Sequence, residues 1–178
     1  MPVYGYGAPL DQAAAAMIMI HGRGATPADI LSLAQEFGEP GVAYLAPEAA
    51  GGQWYPYPFT APVEQNEPWL SSALAAVGDV FDMVAEAGIP PERTMLLGFS
   101  QGACLALEYA ARNPRRYGGV IGLSGALIGW NMPEERVKQY EEGVRNGGIL
   151  MGLRAKNDED AEHFERSWTA ANGQNVAR

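Results

Sequence analysis

A single cysteine, Cys104, two histidines, two lysines and no apolar run of membrane-spanning length set the first limits on this 178-residue chain. One cysteine excludes an internal disulfide and fits a reducing compartment. Two histidines, His21 and His163, leave little for a histidine-rich metal site. Only 12 basic residues stand against 21 acidic ones, a net charge of −9, so a phosphate-tracking surface is disfavoured and neither nucleic acid nor an anionic membrane is an expected partner. The opening residues MPVYGYGAPLDQ have neither the basic start nor the apolar core of a signal peptide, and no later segment could cross a bilayer. The expectation is a cytoplasmic protein with a small organic ligand, and a homodimer is the one macromolecular association left open.

What is present is enough apolar residue, 47%, for one sizeable core. Composition changes after Gly129. Residues 1–129 hold twelve of the thirteen prolines and no lysine, whereas residues 130–178 are densely and almost evenly charged and contain both Lys138 and Lys156. A break of that kind marks a candidate boundary between units 1–129 and 130–178.

Before the break, short apolar runs alternate with helical patterns. Residues 14–20, 41–46, 94–98 and 118–123 read as buried parallel strands. Helices are expected from the Thr26 cap with Pro27 and Asp29 to a stop at Gly38, over 69–87, and over 101–112 ahead of Pro114. Between them, residues 47–68 form a long proline- and aromatic-rich connection containing QWYPYPF, the kind of segment that carries function. This alternation predicts an α/β fold with a doubly wound, mostly parallel sheet. After the break, a helix over 133–144, a strand over 149–155, a helix over 158–171 and a terminal NVAR make a helix-strand-helix-strand segment, whose strand could extend the parallel sheet.

Chemistry concentrates at Gly98-Phe99-Ser100-Gln101-Gly102, a G-x-S-x-G pattern between an apolar strand and an amphipathic helix. A serine on so tight a turn needs neighbours without side chains, which Gly98 and Gly102 supply, and the helix start offers free N–H groups to an oxyanion. An ordinary glycine-bearing turn is the competing reading. At the end of the first strand stands His21-Gly22-Arg23-Gly24, where Gly22 and Gly24 let backbone approach a substrate and the amides of Arg23 and Gln101 would form an oxyanion hole. His21 is a candidate substrate-pocket residue and is expected to order this loop rather than act as a base, because the base of such a site follows the last strand. Cys104, one turn beyond Ser100, reads as a small buried residue.

The blocks MIMIHGRGATPADILSLA, YLAPEAAGGQWYPYPF, EQNEPWLSSALAAV and IPPERTMLLGFSQGACLALEYAARNPRRYGGVIGLSGALIG resemble, in order, the phospholipase/carboxylesterase family that includes acyl-protein thioesterases. The resemblance covers residues 1–129. It implies an α/β-hydrolase fold, no cofactor and no metal, and hydrolysis of short-chain carboxylic esters or thioesters through an acyl-enzyme on Ser100. It also implies that Trp54 and Tyr55 line the acyl or leaving-group side of the pocket, with aromatic packing beneath a long loop as the equal alternative.

That family carries its acid and base after the serine in an S/D-x-D-x-x-V/I-P block and a G-M-G-H block, and neither occurs here. The sheet is therefore expected to stop before the strand that carries the catalytic histidine, leaving activity impaired. His163 lies off the apolar stripe Ala161, Phe164, Trp168 and Ala171 of its helix and reads as solvent-facing. Asp158 and Asp160 could be the acid if the strand over 149–155 replaced the usual acid-bearing strand, and more simply read as first-turn carboxylates complementing the helix dipole. Residues 124–178 resemble instead the C-terminal part of small bacterial general-stress proteins, so a join is expected near 124–129. The rival functional expectation is accordingly a non-catalytic binding or association protein on a hydrolase scaffold.

Overall fold

The structure, a computed structural model, describes residues 1–125, 151–152 and 158–170. Strands β1 (Val3–Gly7), β2 (Ala15–Ile20), β3 (Val42–Pro47), β4 (Thr94–Phe99), β5 (Gly119–Leu123) and the two-residue β6 (Met151–Gly152) form one sheet in the order β1-β3-β2-β4-β5-β6. The four central strands run parallel, and β1 and β6 pair antiparallel on β3 and β5. The described elements also include helices α1 (Pro27–Phe37), α2 (Trp69–Glu86), α3 (Gln101–Arg112) and α4 (Asp158–Ala170), and short 3-10 turns at Ala50–Gly52, Val63–Asn66 and Pro91–Arg93.

The apolar runs are continuous because helices cover both sheet faces. Along β2, Ala16, Ile18 and Ile20 join Leu70, Val77, Val80 and Val84 of α2 and Leu105 and Tyr109 of α3 in one core. Met17 and Met19 point the other way, into a second core with Ile30 and Ala34 of α1 and Leu97 of β4. One helix on one face and two on the other is the doubly wound arrangement expected from the alternation of elements.

Local chemistry explains the boundaries. Thr26 caps α1 with a reciprocal box, its hydroxyl accepting from the Asp29 amide while the Asp29 carboxylate accepts from the Thr26 amide at 2.7 Å, and Gly38 ends the helix in left-handed backbone, φ 64°. These bonds, the Thr26 hydroxyl first, hold the Asp29 carboxyl below its ordinary pKa.

Two elements differ from expectation. Strand β1 carries no apolar alternation, since Tyr-Gly-Tyr-Gly is a weak strand signal, and it forms by pairing register for register with β3. Strand β6 is antiparallel, not a continuation of the parallel sheet: Met151 pairs with Leu123, so the chain enters the sheet at the end where β5 leaves it. The expected helix at 133–144, the rest of the strand at 149–155 and the terminal NVAR lie outside the described residues, as does the expected join beyond residue 125. No helix among the described residues is long and apolar enough to cross a membrane.

Candidate active site

Strand β4 delivers Ser100 to the C-terminal end of the parallel strands and α3 begins at the next residue, so the serine alone makes the turn from strand to helix. Its backbone sits at φ 52°, ψ −116°, a conformation costly for any residue with a Cβ. The turn is held by the Ser100 amide donating to Leu123 O at 2.8 Å and by Cys104 N–H donating to Ser100 O at 3.1 Å. Its flanking glycines have a steric cause. A Cβ on Gly98 would fall 2.1 Å from Gly102 O, and one on Gly102 would fall 2.2 Å from Ile20 O. The strand, the helix and the end of β2 are thus closer than any side chain permits.

The loop after β2 lies directly against this turn. A Cβ on Gly22 would sit 3.3 Å from the Phe99 ring and 3.4 Å from Ser100 Cβ. Next to it, the Gly24 amide donates to Gly52 O at 2.7 Å and the Ala25 amide to Gly22 O, while the preceding Arg23 amide makes no hydrogen bond among the described residues. Gln101, the first residue of α3, has an N–H with no carbonyl four residues back within the helix. Both expected oxyanion donors therefore stand at positions where backbone amides are unclaimed.

His21 is 1% exposed and fully engaged. Its Nδ1 lies 2.8 Å from Gly22 O and must donate there, and its Nε2 accepts from the Ala49 amide at 3.1 Å, which specifies the neutral Nδ1–H form. The ring also packs on Trp54, centroids 5.1 Å apart. With both nitrogens committed, His21 is turned away from proton transfer and ties the loop to the end of β3. His163 lies exposed on α4. Among the described residues no side chain hydrogen-bonds the Ser100 hydroxyl, and none form a cluster of three His, Cys, Asp or Glu suited to a metal ion.

Trp54 and Tyr55 are buried in the core that includes residues of α2 and α3. Trp54 Nε1 donates to His21 O at 2.9 Å. The Tyr55 phenol, 1% exposed, lies beside Cys104, and burial, then the neighbouring Cys104, push its pKa up. Beside Ser100 it is Phe99, 47% exposed, that presents apolar surface.

Sequence reasoning missed how the connection after β3 is fastened. The Arg23 guanidinium donates to Gln53 Oε1, Tyr55 O, Pro56 O and Tyr57 O, and the Gln101 side chain accepts from the Trp54 amide and donates to Tyr55 O. Asn66, fully buried, accepts from the Tyr57 amide at 2.9 Å. The available signal was weak: a segment with Pro56 and Pro58 has more carbonyls than amides and needs outside donors.

A serine on a strained strand-to-helix turn of a mostly parallel sheet, backed by a glycine loop from the neighbouring strand, is an arrangement that fits the α/β-hydrolase class of fold. The sequence profile of the family described as Phospholipase/Carboxylesterase matches residues 7–140, so the chain belongs to that hydrolase family. A crystal structure of a phospholipase/carboxylesterase from Dyadobacter fermentans DSM 18053 is 49% identical, with a TM-score of 0.71 over 73% of this chain and 62% of that one. The crystal structure of esterase PE8 is 26% identical, with a TM-score of 0.60 over 70% of this chain and 64% of that one. Acyl-protein thioesterase 1 of Yarrowia lipolytica is 27% identical over 128 residues, 62% of this chain and 56% of that protein. Across three acyl-protein thioesterase 1 sequences the matches span 25–56% of the relative's length. The family match continues past Gly129, through eleven residues of the charged segment.

Proposed function

We propose that this chain carries the nucleophile and oxyanion side of a carboxylesterase or thioesterase site acting on short-chain acyl groups. Ser100 Oγ attacks the carbonyl carbon, the amides of Arg23 and Gln101 receive the negative oxygen, the alcohol or thiol departs with a proton, and water then releases the acyl group from Ser100. The observation that carries this reading is the backbone of Ser100: φ 52° on a non-glycine residue is retained only where surrounding structure enforces it, and here the half-buried serine lies between Gly98 and Gly102, at which an added Cβ would fall 2.1–2.2 Å from backbone oxygen. Each oxyanion donor contributes about 3 kcal/mol to the barrier reduction in sites of this type.

Both ring nitrogens of His21 are committed to backbone partners, so the scheme assigns it no part as general base. Ester or thioester substrates are supported by the family and by the esterase and thioesterase relatives; no cofactor takes part in the scheme. Hydrolysis of p-nitrophenyl acetate, p-nitrophenyl butyrate and a butyryl thioester, compared between wild type and Ser100→Ala, tests it. Turnover that disappears in the variant is expected. Turnover that persists would put the chemistry elsewhere, and a folded wild type without turnover would leave the elbow as a binding scaffold.

A further inference from the structure

The two residues whose amides are proposed to hold the oxyanion both send their side chains to one short stretch of the connection after β3. Arg23 reaches Gln53 Oε1 at 2.8 Å, Tyr55 O and Pro56 O at 2.9 Å, and Tyr57 O at 3.4 Å. Gln101 brackets the same stretch, accepting from the Trp54 amide at 2.9 Å and donating to Tyr55 O at 2.8 Å. The Gly24 amide holds Gly52 O at 2.7 Å, and a Cβ on Gly52 would lie 3.7 Å from Gly24 Cα, so the backbones of the two loops are in close contact.

This convergence is unusual chemistry for an exposed arginine. Three successive carbonyls, those of Tyr55, Pro56 and Tyr57, turn toward one cation, an arrangement in which carbonyl dipoles repel one another unless a cation sits among them. Proline at 56 and 58 removes two amides that could otherwise have satisfied carbonyls locally. A guanidinium has the planar fork of donors for this task, and a lysine does not. All four bonds use the terminal nitrogens, whose N–H groups are thereby occupied.

We infer that Arg23 is a positioning residue whose guanidinium locks the 52–57 strap onto the oxyanion loop, making the strap and the hole one rigid unit. The inference rests on the proposed hydrolase reading for its meaning in catalysis but not for its test. Its side chain fixes the strap, and the strap in return fixes the Arg23 backbone, whose amide stays free to face a carbonyl oxygen. Trp54, bonded through Nε1 to His21 O, closes the loop of contacts from the strap back to the residue preceding Gly22.

Hydrogen exchange of the full chain, without substrate, decides it. In Arg23→Met, exchange in segments 52–57 and 21–25 is expected to rise together by about tenfold, with β4 and α3 unchanged. Arg23→Lys is expected to recover only part of the protection, and millimolar guanidinium added to Arg23→Met to recover more. A fluorophosphonate probe should label Ser100 about tenfold to a hundredfold more slowly in Arg23→Met, because small displacements of an oxyanion donor are costly. Loosening of 52–57 alone, with 21–25 as protected as in wild type, would overturn the inference and make Arg23 a plain loop anchor. Unchanged exchange in both segments would overturn it too. A wild type that resists the probe would count against the hydrolase reading alone, since the exchange result stands without it.

Discussion

The elbow around Ser100 and the strap after β3 face the same space, yet they are held by opposite means. Exclusion holds the elbow: Gly98 and Gly102 leave no room for a Cβ, and backbone meets backbone. Directional bonds hold the strap, through side chains of Arg23, Gln101 and Asn66 reaching over distances in sequence of 9 to 47 residues. A turn fixed by exclusion fails when anything is added. A loop fixed by bonds loosens when a donor is removed.

The largest test of that contrast is Gly102→Ala. One methyl group 2.2 Å from Ile20 O has no flexible neighbour to yield, so a loss of about 3 kcal/mol or more is expected, read as a lower denaturant midpoint or as failure to fold. An unaffected midpoint would show that the elbow can open, against the exclusion account. Next comes His21→Phe, which keeps an aromatic ring against Trp54 but strands the Ala49 amide and Gly22 O. About 2 kcal/mol should be lost in thermal or chemical unfolding, with exchange at Ala49 rising.

Smaller still is the strain at Ser100. Ser100→Gly, free of the Cβ penalty at φ 52°, is expected to be more stable than Ser100→Ala by about 1 kcal/mol, and calorimetry on the two variants measures it directly. Equal stabilities would mean the serine backbone stores no strain. At the remote end of the scale, Thr26→Ala removes the α1 cap and should cost about 0.5–1 kcal/mol. The pH dependence has a definite sign. Asp29 titrates lower in the folded chain than unfolded, so its stabilisation is complete above the ordinary carboxylate value of about 3.9 and fades as pH falls through the depressed folded value. In Thr26→Ala that acid-side loss should shrink, because its main cause is gone.

The same contrast explains what was legible in the residues alone. Exclusion writes itself into sequence as glycine at fixed offsets, which is why G-F-S-Q-G and H-G-R-G could be placed on their strand ends before any coordinates. The buried parallel strands were legible for a similar reason, since β2 and β4 are apolar on both faces. The strap was not, because nothing in QWYPYPF names Arg23 as its anchor. Trp54 and Tyr55 could be read either as a pocket wall or as packing, because the residues name neither the burial of both rings nor their partners. Strand β1 escaped notice because its order comes from β3 and not from its own side chains, and the direction of β6 was invisible because a two-residue bridge has no periodicity.

The central claim is that the turn at residue 100 displays an activated serine. Intact-mass analysis after exposure to a fluorophosphonate probe tests it most directly, with wild type beside Ser100→Ala and circular dichroism verifying that both are folded. A single adduct on wild type and none on Ser100→Ala is the result expected. Equal adducts on both proteins, or none on a folded wild type, would contradict it.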